Sequence, residues 1–226
     1  PALDCQLMAE MAGALGRKLE ALSYRRRFEA TRAAFVKAYV NSDGTLKIDS
    51  QTAYVLALWS GLLPENLVAE AAAVLADKIT KNGYRMTTGF LGTRSILPAL
   101  TASGRHDLAV RLFQSRKFPS WGYEVEQGAT SVWERWDSFT REHGFNGAAG
   151  NQNASMNSFS HYAFGAVMEW AFRDLAGIET DGPGFKRILF RPRPPAPGSN
   201  PDRTPIDWVK AEYGSIRGRI VSQWKW

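Results

Sequence analysis

The sequence predicts a mainly helical fold that gives way to β structure near its end, and three features carry that prediction. Up to about residue 114, and again over 156–175, apolar residues recur every three or four positions, as one face of an α-helix requires. Beyond Asp181-Gly-Pro-Gly184 the period falls to two, the mark of strands. Helices joined by short turns pair as antiparallel hairpins, and no repeat of about 34 or 40 residues runs through them. A closed helical toroid therefore fits better than a superhelical array.

The elements are taken in chain order. Leu7, Met8, Met11, Leu15 and Leu19 define the inner face of a first helix, and Tyr24, Phe28, Thr31, Phe35 and Ala38 that of a second, over about 22–40. Asn41-Ser-Asp-Gly44 is a turn cluster that stops it. Helices are expected over Gln51–Leu62 and Pro64–Ile79, with Pro64 at a first helical position and Asn82-Gly83 closing the second. Phe90–Ala102 and Arg105–Phe113 form the next pair, broken by Ser103-Gly104. From 115 to 155 periodicity dissolves into Gly, Pro, Ser, Asn and aromatics. Loops of that length inside a domain usually carry function. A last helix is expected over Met156–Leu175, ending at Gly177, followed by strands with a hairpin turn at Tyr213-Gly214-Ser215. The domain division expected from this change of period is 1–180 and 183–226. Pro1 is not an initiator Met and Trp226 falls in mid-strand, so the chain is expected to be a piece cut at both ends.

Composition excludes several functions. The 226 residues are 44% hydrophobic, enough for a real core. No apolar run reaches the roughly 18–20 residues that cross a bilayer, so no membrane partner is expected. The single cysteine, Cys5, excludes an internal disulfide and a cysteine-based zinc cluster. With His106, His143 and His161 scattered, no metal or other cofactor is expected. The net charge of +6 comes from residues 183–226, where nine basic residues face Asp202, Asp207 and Glu212. Those bases are spread through strand-like sequence rather than clustered, so no nucleic-acid partner is expected. Gly89-Phe-Leu-Gly92 lacks the Gly-Lys-Ser/Thr ending of a phosphate loop and follows no strand.

The chemistry is concentrated in Phe118-Pro-Ser-Trp-Gly-Tyr-Glu-Val-Glu-Gln-Gly-Ala-Thr-Ser-Val-Trp-Glu-Arg-Trp-Asp137. It sets Trp121, Tyr123, Trp133 and Trp136 among Glu124, Glu126, Glu134 and Asp137. Sugars offer apolar CH faces to aromatic rings and hydroxyl edges to carboxylates, so a carbohydrate cleft is one reading. An ordinary packed loop is the other. Glycoside hydrolysis needs two carboxyl groups, one protonating the leaving oxygen and one activating water or attacking carbon. Trp121 and Trp133 suit either pocket walls or core; Trp59 and Trp170, on helices, read as core.

At these residues the sequence resembles a family. Thr88-Gly-Phe-Leu-Gly-Thr93, Trp121-Gly-Tyr123, Gly128-Ala-Thr-Ser-Val-Trp-Glu-Arg-Trp-Asp137 and Met156-Asn-Ser-Phe-Ser-His-Tyr-Ala-Phe-Gly165 occur in order, as in bacterial α-L-rhamnosidases. Gly184-Phe-Lys-Arg-Ile-Leu-Phe-Arg-Pro-Arg-Pro194 and Ala211-Glu-Tyr-Gly-Ser-Ile-Arg-Gly-Arg-Ile220 are similar to the start of that family's C-terminal β-domain.

The resemblance implies part of a six-hairpin (α/α)6 barrel, followed by the first strands of a β-sandwich, from an inverting hydrolase of terminal α-L-rhamnosides. Residues 1–180 would be the C-terminal portion of the catalytic barrel and 183–226 the truncated β-domain. The family's general base falls on Glu134 and its sugar-binding histidine on His161. Asn157 lies four positions before His161, hence on one helix face if that segment is helical. Trp121, Trp133 and Trp136 would complete the rhamnoside site. No residue matches the family's general acid. Tyr24-Arg-Arg-Arg-Phe-Glu29 lacks its Asp-Glu pair, so the acid is expected outside this chain and the chain alone is expected to be inactive. The missing hairpins imply either a companion chain or self-association. Two rivals stay open at this point: another six-hairpin glycosidase with a different sugar, and a non-catalytic helical carbohydrate-binding fragment.

Overall fold

A computed structural model describes residues 2–145 and 157–226. Three helical hairpins come first: α1 (Ala2–Ala14) with α2 (Lys18–Tyr39), α3 (Gln51–Trp59) with α4 (Glu65–Lys81), and α5 (Phe90–Ala102) with α6 (His106–Phe113). A short helix, α7 (Trp121–Gln127), and a small hairpin of β1 (Phe139–Thr140) and β2 (Gly144–Phe145) occupy the stretch expected to be irregular. The final helical run is α8 (Tyr162–Gly165), α9 (Val167–Trp170) and a π-helical turn, Ala171–Leu175. Strand β3 (Ile178–Thr180) pairs with β4 (Ile188–Phe190), and β5 (Trp208–Ser215) with β6 (Gly218–Lys225), both antiparallel.

Helix α5 is the axis of the core. Nine of its residues are buried, and it packs against α3, α6, α8 and α9. Tyr54, Val55, Leu75, Ile79, Ile96, Leu97, Leu100, Val110, Leu112 and Trp170 close the core with no more than 1% exposure each. Burying each such side chain contributes about 1.5–3 kcal/mol. Local signals set the ends. The Ser50 side chain accepts from the Ala53 N–H to start α3, and the Asp43 carboxylate accepts from the Thr45 N–H and hydroxyl to close the turn after α2. Pro64 stands one position earlier than expected, as the cap of α4 with extended ψ.

Three expectations are corrected. First, the large apolar residues of α1 are not its buried face. Leu7, Met8, Met11, Leu15 and Leu19 are 38–84% exposed, while Ala2, Ala9, Ala12 and Ala21 are buried where α1 meets α2. Alanines let two helices approach closely, so the larger side chains project outward. Second, Ser158–Ser160 are not helical. The last helix begins at Tyr162, and Met156 lies outside the described residues. Third, the β5–β6 turn is Ile216-Arg217: Tyr213 and Gly214 are ladder residues opposite Ile220 and Arg219.

The β segment is fastened to the helices by polar contacts. The Ser222 hydroxyl donates to the Ala176 carbonyl at 2.6 Å and the Trp224 indole to the Leu175 carbonyl at 2.9 Å. Gly177, with φ +76°, is where the chain crosses the end of β4, and a Cβ there would stand 2.0 Å from the Pro192 nitrogen. Between β4 and β5 the chain follows α6. Arg111 pairs with Asp202 at 2.7 Å, and the Ala196 N–H donates to Asp107 at 2.9 Å.

Candidate active site

Two irregular segments build the site. The Glu134 N–H donates to the Ser158 carbonyl at 2.9 Å and the His161 N–H to the Val132 carbonyl at 2.8 Å. The Ser131 hydroxyl adds a contact to the Phe159 carbonyl. This ladder sets 131–134 beside 158–161 and so draws Glu134 and His161 together across a long sequence gap. The Ser158 N–H then donates to Glu134 Oε2 at 2.7 Å, a charge-assisted bond that holds the half-buried carboxylate in one pose.

Glu134 opens onto a cleft of about 400 Å3. Its other lining residues are Met86, Thr87, Thr88, Gly89 and Phe90 from the start of α5, Phe118 and Pro119, Arg135, Trp136 and Asp137, and Phe164 from α8. Trp136 stacks flat on Phe164 with ring centres 3.8 Å apart, giving the cleft a broad apolar wall. The lining before α5 is held from below by buried Gln51, whose amide donates to the Arg85 carbonyl at 3.1 Å and accepts from the Thr87 N–H at 2.9 Å. Thr88 and Thr93 bond each other through their hydroxyls at 2.9 Å, fixing the first turn of α5.

The other expected site residues are placed differently from one another. Trp133 is 4% exposed and packs edge-on against Phe139 and Phe159, so it is core and presents no face to a ligand. Trp121 is also not a wall. Its indole donates to the Phe164 carbonyl at 2.9 Å and its ring meets Trp136 edge-on, so it supports the cleft from behind. His161 caps α8, its Nδ1 accepting from the Ala163 N–H at 3.2 Å, while its ring stacks on Phe90 at 5.1 Å and Tyr162 at 5.2 Å. With Nδ1 an acceptor, the ring proton sits on Nε2. Asn157 is not on a helix with His161. Its side-chain oxygen accepts from the Ser138 hydroxyl at 2.9 Å, tying the segment to the turn after Trp136. Glu29 lies on α2 with its carboxylate paired to Arg32 at 3.7 Å.

Sequence reasoning passed over Gln51 and named Glu124 only among the carboxylates of the loop. Glu124 is 2% exposed on α7, and burial pushes its carboxyl up to about 8, a shift the nearby Trp133 backbone opposes. Its helix needs Gly122, where a Cβ would stand 2.3 Å from the Ser115 carbonyl oxygen. The signal for α7 lay in its ends: Ser120 accepts from the Tyr123 N–H at 3.0 Å, and Gly128 closes the helix at φ +103°. Among the described residues no three His, Cys, Asp or Glu side chains converge as a metal site would need. What the arrangement offers is one fixed carboxylate, flat apolar surfaces, and an imidazole that does not line the cleft itself but stacks on its Phe90 wall, which together suit a polyhydroxylated ring with a water beside it.

Comparison with known proteins bears on the whole chain. Residues 2–175 match the model of the bacterial alpha-L-rhamnosidase 6 hairpin glycosidase domain, and residues 177–226 that of the bacterial alpha-L-rhamnosidase C-terminal domain. An alpha-L-rhamnosidase from Streptomyces avermitilis is 40% identical over 222 residues, 98% of this chain and 20% of that protein. The crystal structure of the Streptomyces avermitilis alpha-L-rhamnosidase complexed with L-rhamnose superposes on all of this chain and 20% of its own, with a TM-score of 0.87. The native alpha-L-rhamnosidase from Aspergillus terreus superposes on 98% of this chain and 24% of its own, also with a TM-score of 0.87, at 27% identity. The chain thus spans about a fifth to a quarter of the length of the relatives it matches. Its helical hairpins and short C-terminal strands are those of part of a six-hairpin barrel and the domain joined to its end, and the chain belongs to the bacterial alpha-L-rhamnosidase six-hairpin glycosidase family.

Proposed function

We propose that the full-length protein hydrolyses terminal α-L-rhamnosides with inversion, and that Glu134 is its general base. The observation that carries this reading is the Glu134 carboxylate, held by the Ser158 N–H at the mouth of an aromatic-lined cleft. The Streptomyces avermitilis relative binds L-rhamnose, which supports a rhamnoside as the substrate here. In single displacement the carboxylate takes a proton from water as that water attacks the anomeric carbon. A second carboxyl group, about 6.5–9.5 Å away, protonates the departing oxygen. That acid lies outside residues 1–226. His161 donates from Nε2 to a sugar hydroxyl, Trp136 offers its face to the ring, and Asn157, Trp121 and Trp133 hold the frame. On this reading residues 1–180 are the C-terminal portion of the catalytic barrel and 183–226 the start of the β-domain. The exposed face of α1 and α2 meets the remaining hairpins.

The test is steady-state hydrolysis of an aryl α-L-rhamnoside by full-length Glu134→Gln. The amide keeps the volume and the bond from Ser158 but cannot accept the water proton. Turnover should fall by about 10²–10⁴-fold, the usual worth of a general base, with substrate binding retained. Turnover at the wild-type rate would put the base elsewhere. Equal rates on other aryl glycosides would remove rhamnose as the sugar.

A further inference from the structure

One wall of the cleft owes its shape to a residue outside it. Residues 85–89 lie beyond every helix and strand, between the end of α4 and the start of α5. Met86, Thr87, Thr88 and Gly89 nevertheless line the cleft together with Glu134. Gln51, the first residue of α3, is 3% exposed and holds this stretch on both sides of Met86. Its Nε2 donates to the Arg85 carbonyl at 3.1 Å, and its Oε1 accepts from the Thr87 N–H at 2.9 Å. Asn82 Nδ2 also donates to the Arg85 carbonyl, at 3.1 Å, but among the described residues only Gln51 takes the Thr87 N–H. The fit is close where α3 meets this wall: a Cβ on Gly92 would stand 2.8 Å from the Thr88 Cβ and 3.3 Å from the Thr52 Cγ2.

The wall runs into Phe90, whose ring stacks on His161 at 5.1 Å and meets Phe164 at 5.4 Å, and Phe164 in turn lies flat on Trp136. A shift of residues 86–90 therefore moves the ring against which His161 and Phe164 are packed. Glu134 hangs on a different support, the Ser158 N–H and the bonds between 131–134 and 158–161. We propose that Gln51 is a positioning residue for substrate binding: from α3 its amide fixes residues 85–87, and so sets how closely the 86–90 wall fits the sugar, while leaving the base in place. This role rests on the cleft at Glu134 being the sugar site.

Gln51→Met and Gln51→Glu in the full-length protein, assayed on an aryl α-L-rhamnoside beside Glu134→Gln, test it. Methionine keeps the length and loses both bonds. KM should rise about 3- to 10-fold, the scale of one hydrogen bond, with kcat within about twofold, and the Kd for L-rhamnose should rise alongside. Glutamate keeps the acceptor for Thr87 and regains the donor to Arg85 only when protonated. Its KM relative to wild type at the same pH should therefore fall toward that of wild type as pH is lowered. A melting temperature that drops in Gln51→Met while KM and the L-rhamnose Kd keep their wild-type values would overturn the proposal, leaving a purely structural amide. A KM ratio in Gln51→Glu that stays as high at acidic as at alkaline pH would overturn it too. Should Gln51→Met fail to fold, the pH series of Gln51→Glu decides alone. Wild-type turnover in Glu134→Gln strikes the proposed base instead, whatever Gln51 does to KM.

Discussion

His161 does two jobs that separate cleanly by substitution. Its Nδ1 caps α8 and its Nε2–H is turned to the sugar in the proposed mechanism. Alanine removes both; asparagine, a good N-cap, removes only the second. In the full-length protein His161→Ala should therefore lower the melting temperature, by about 1 kcal/mol of capping energy, and raise KM for an aryl rhamnoside. His161→Asn should raise KM to a similar degree at nearly unchanged melting temperature. If KM stays put in both, the histidine is a cap and nothing more. The sequence made Glu134 and His161 visible because their motifs are local strings. It could not show that Trp133 turns inward among Phe139 and Phe159 while Trp136, three positions on, turns to the cleft. In an irregular segment no period assigns a face, and only the packing decides.

Helix α5 begins and ends where its sequence says, at Phe90 and Ala102. A Gly-rich start and Ser103-Gly104 bound it, and a dense apolar run fills it. The long loop was less legible. Helix α7 spans only seven residues, too few for periodicity to register, and β1 and β2 have two each. Ser158–Ser160 carry apolar spacing that continues that of α8, but Ser158 and Phe159 spend backbone groups on 131–134 and the Ser160 N–H bonds the Ser158 hydroxyl, so the segment stays non-helical. Between elements, a polar chain inside the core makes a pH prediction. The Trp170 indole donates to the Thr101 hydroxyl at 2.9 Å, which lies 3.1 Å from His106 Nδ1, joining α9, α5 and α6. Burial holds the His106 ring below its ordinary value of 6.5; the Arg193 carbonyl, Asp174 and Asp107 oppose that shift and the Arg193 charge adds to it. A histidine depressed in the folded state stabilises most when neutral. As pH falls through 6.5 the unfolded chain takes up a proton that the folded chain resists, so stability declines. Thermal melts at stepped pH should show that decline in the wild type and a shallower one in His106→Asn. Parallel slopes would mean His106 titrates alike in both states.

At the scale of the whole molecule, the exposed apolar residues of the first hairpin set the behaviour of residues 1–226 by themselves. Leu3, Leu7, Met8, Met11, Leu15, Leu19 and Leu22 are 37–84% exposed, all on α1, the start of α2 and the turn between them. Soluble monomers seldom keep so contiguous an apolar surface, and covering each side chain is worth up to about 1.5–3 kcal/mol. In the proposed barrel that surface meets neighbouring hairpins; in 1–226 alone it can be covered only by another molecule. The charge balance of residues 1–182 gives little repulsion to prevent it. Residues 1–226 expressed alone should therefore run above monomer mass by multi-angle light scattering, and dilution or mild urea should shift them downward. Leu15→Glu with Leu19→Glu, the two most exposed of the set, should move the population toward monomer without loss of helical circular dichroism. Added as a separate chain, the rest of the barrel should compete with self-association and restore rhamnosidase activity, because it would cover the same face and bring the missing acid. A monodisperse monomer at tens of micromolar would show that this face needs no cover.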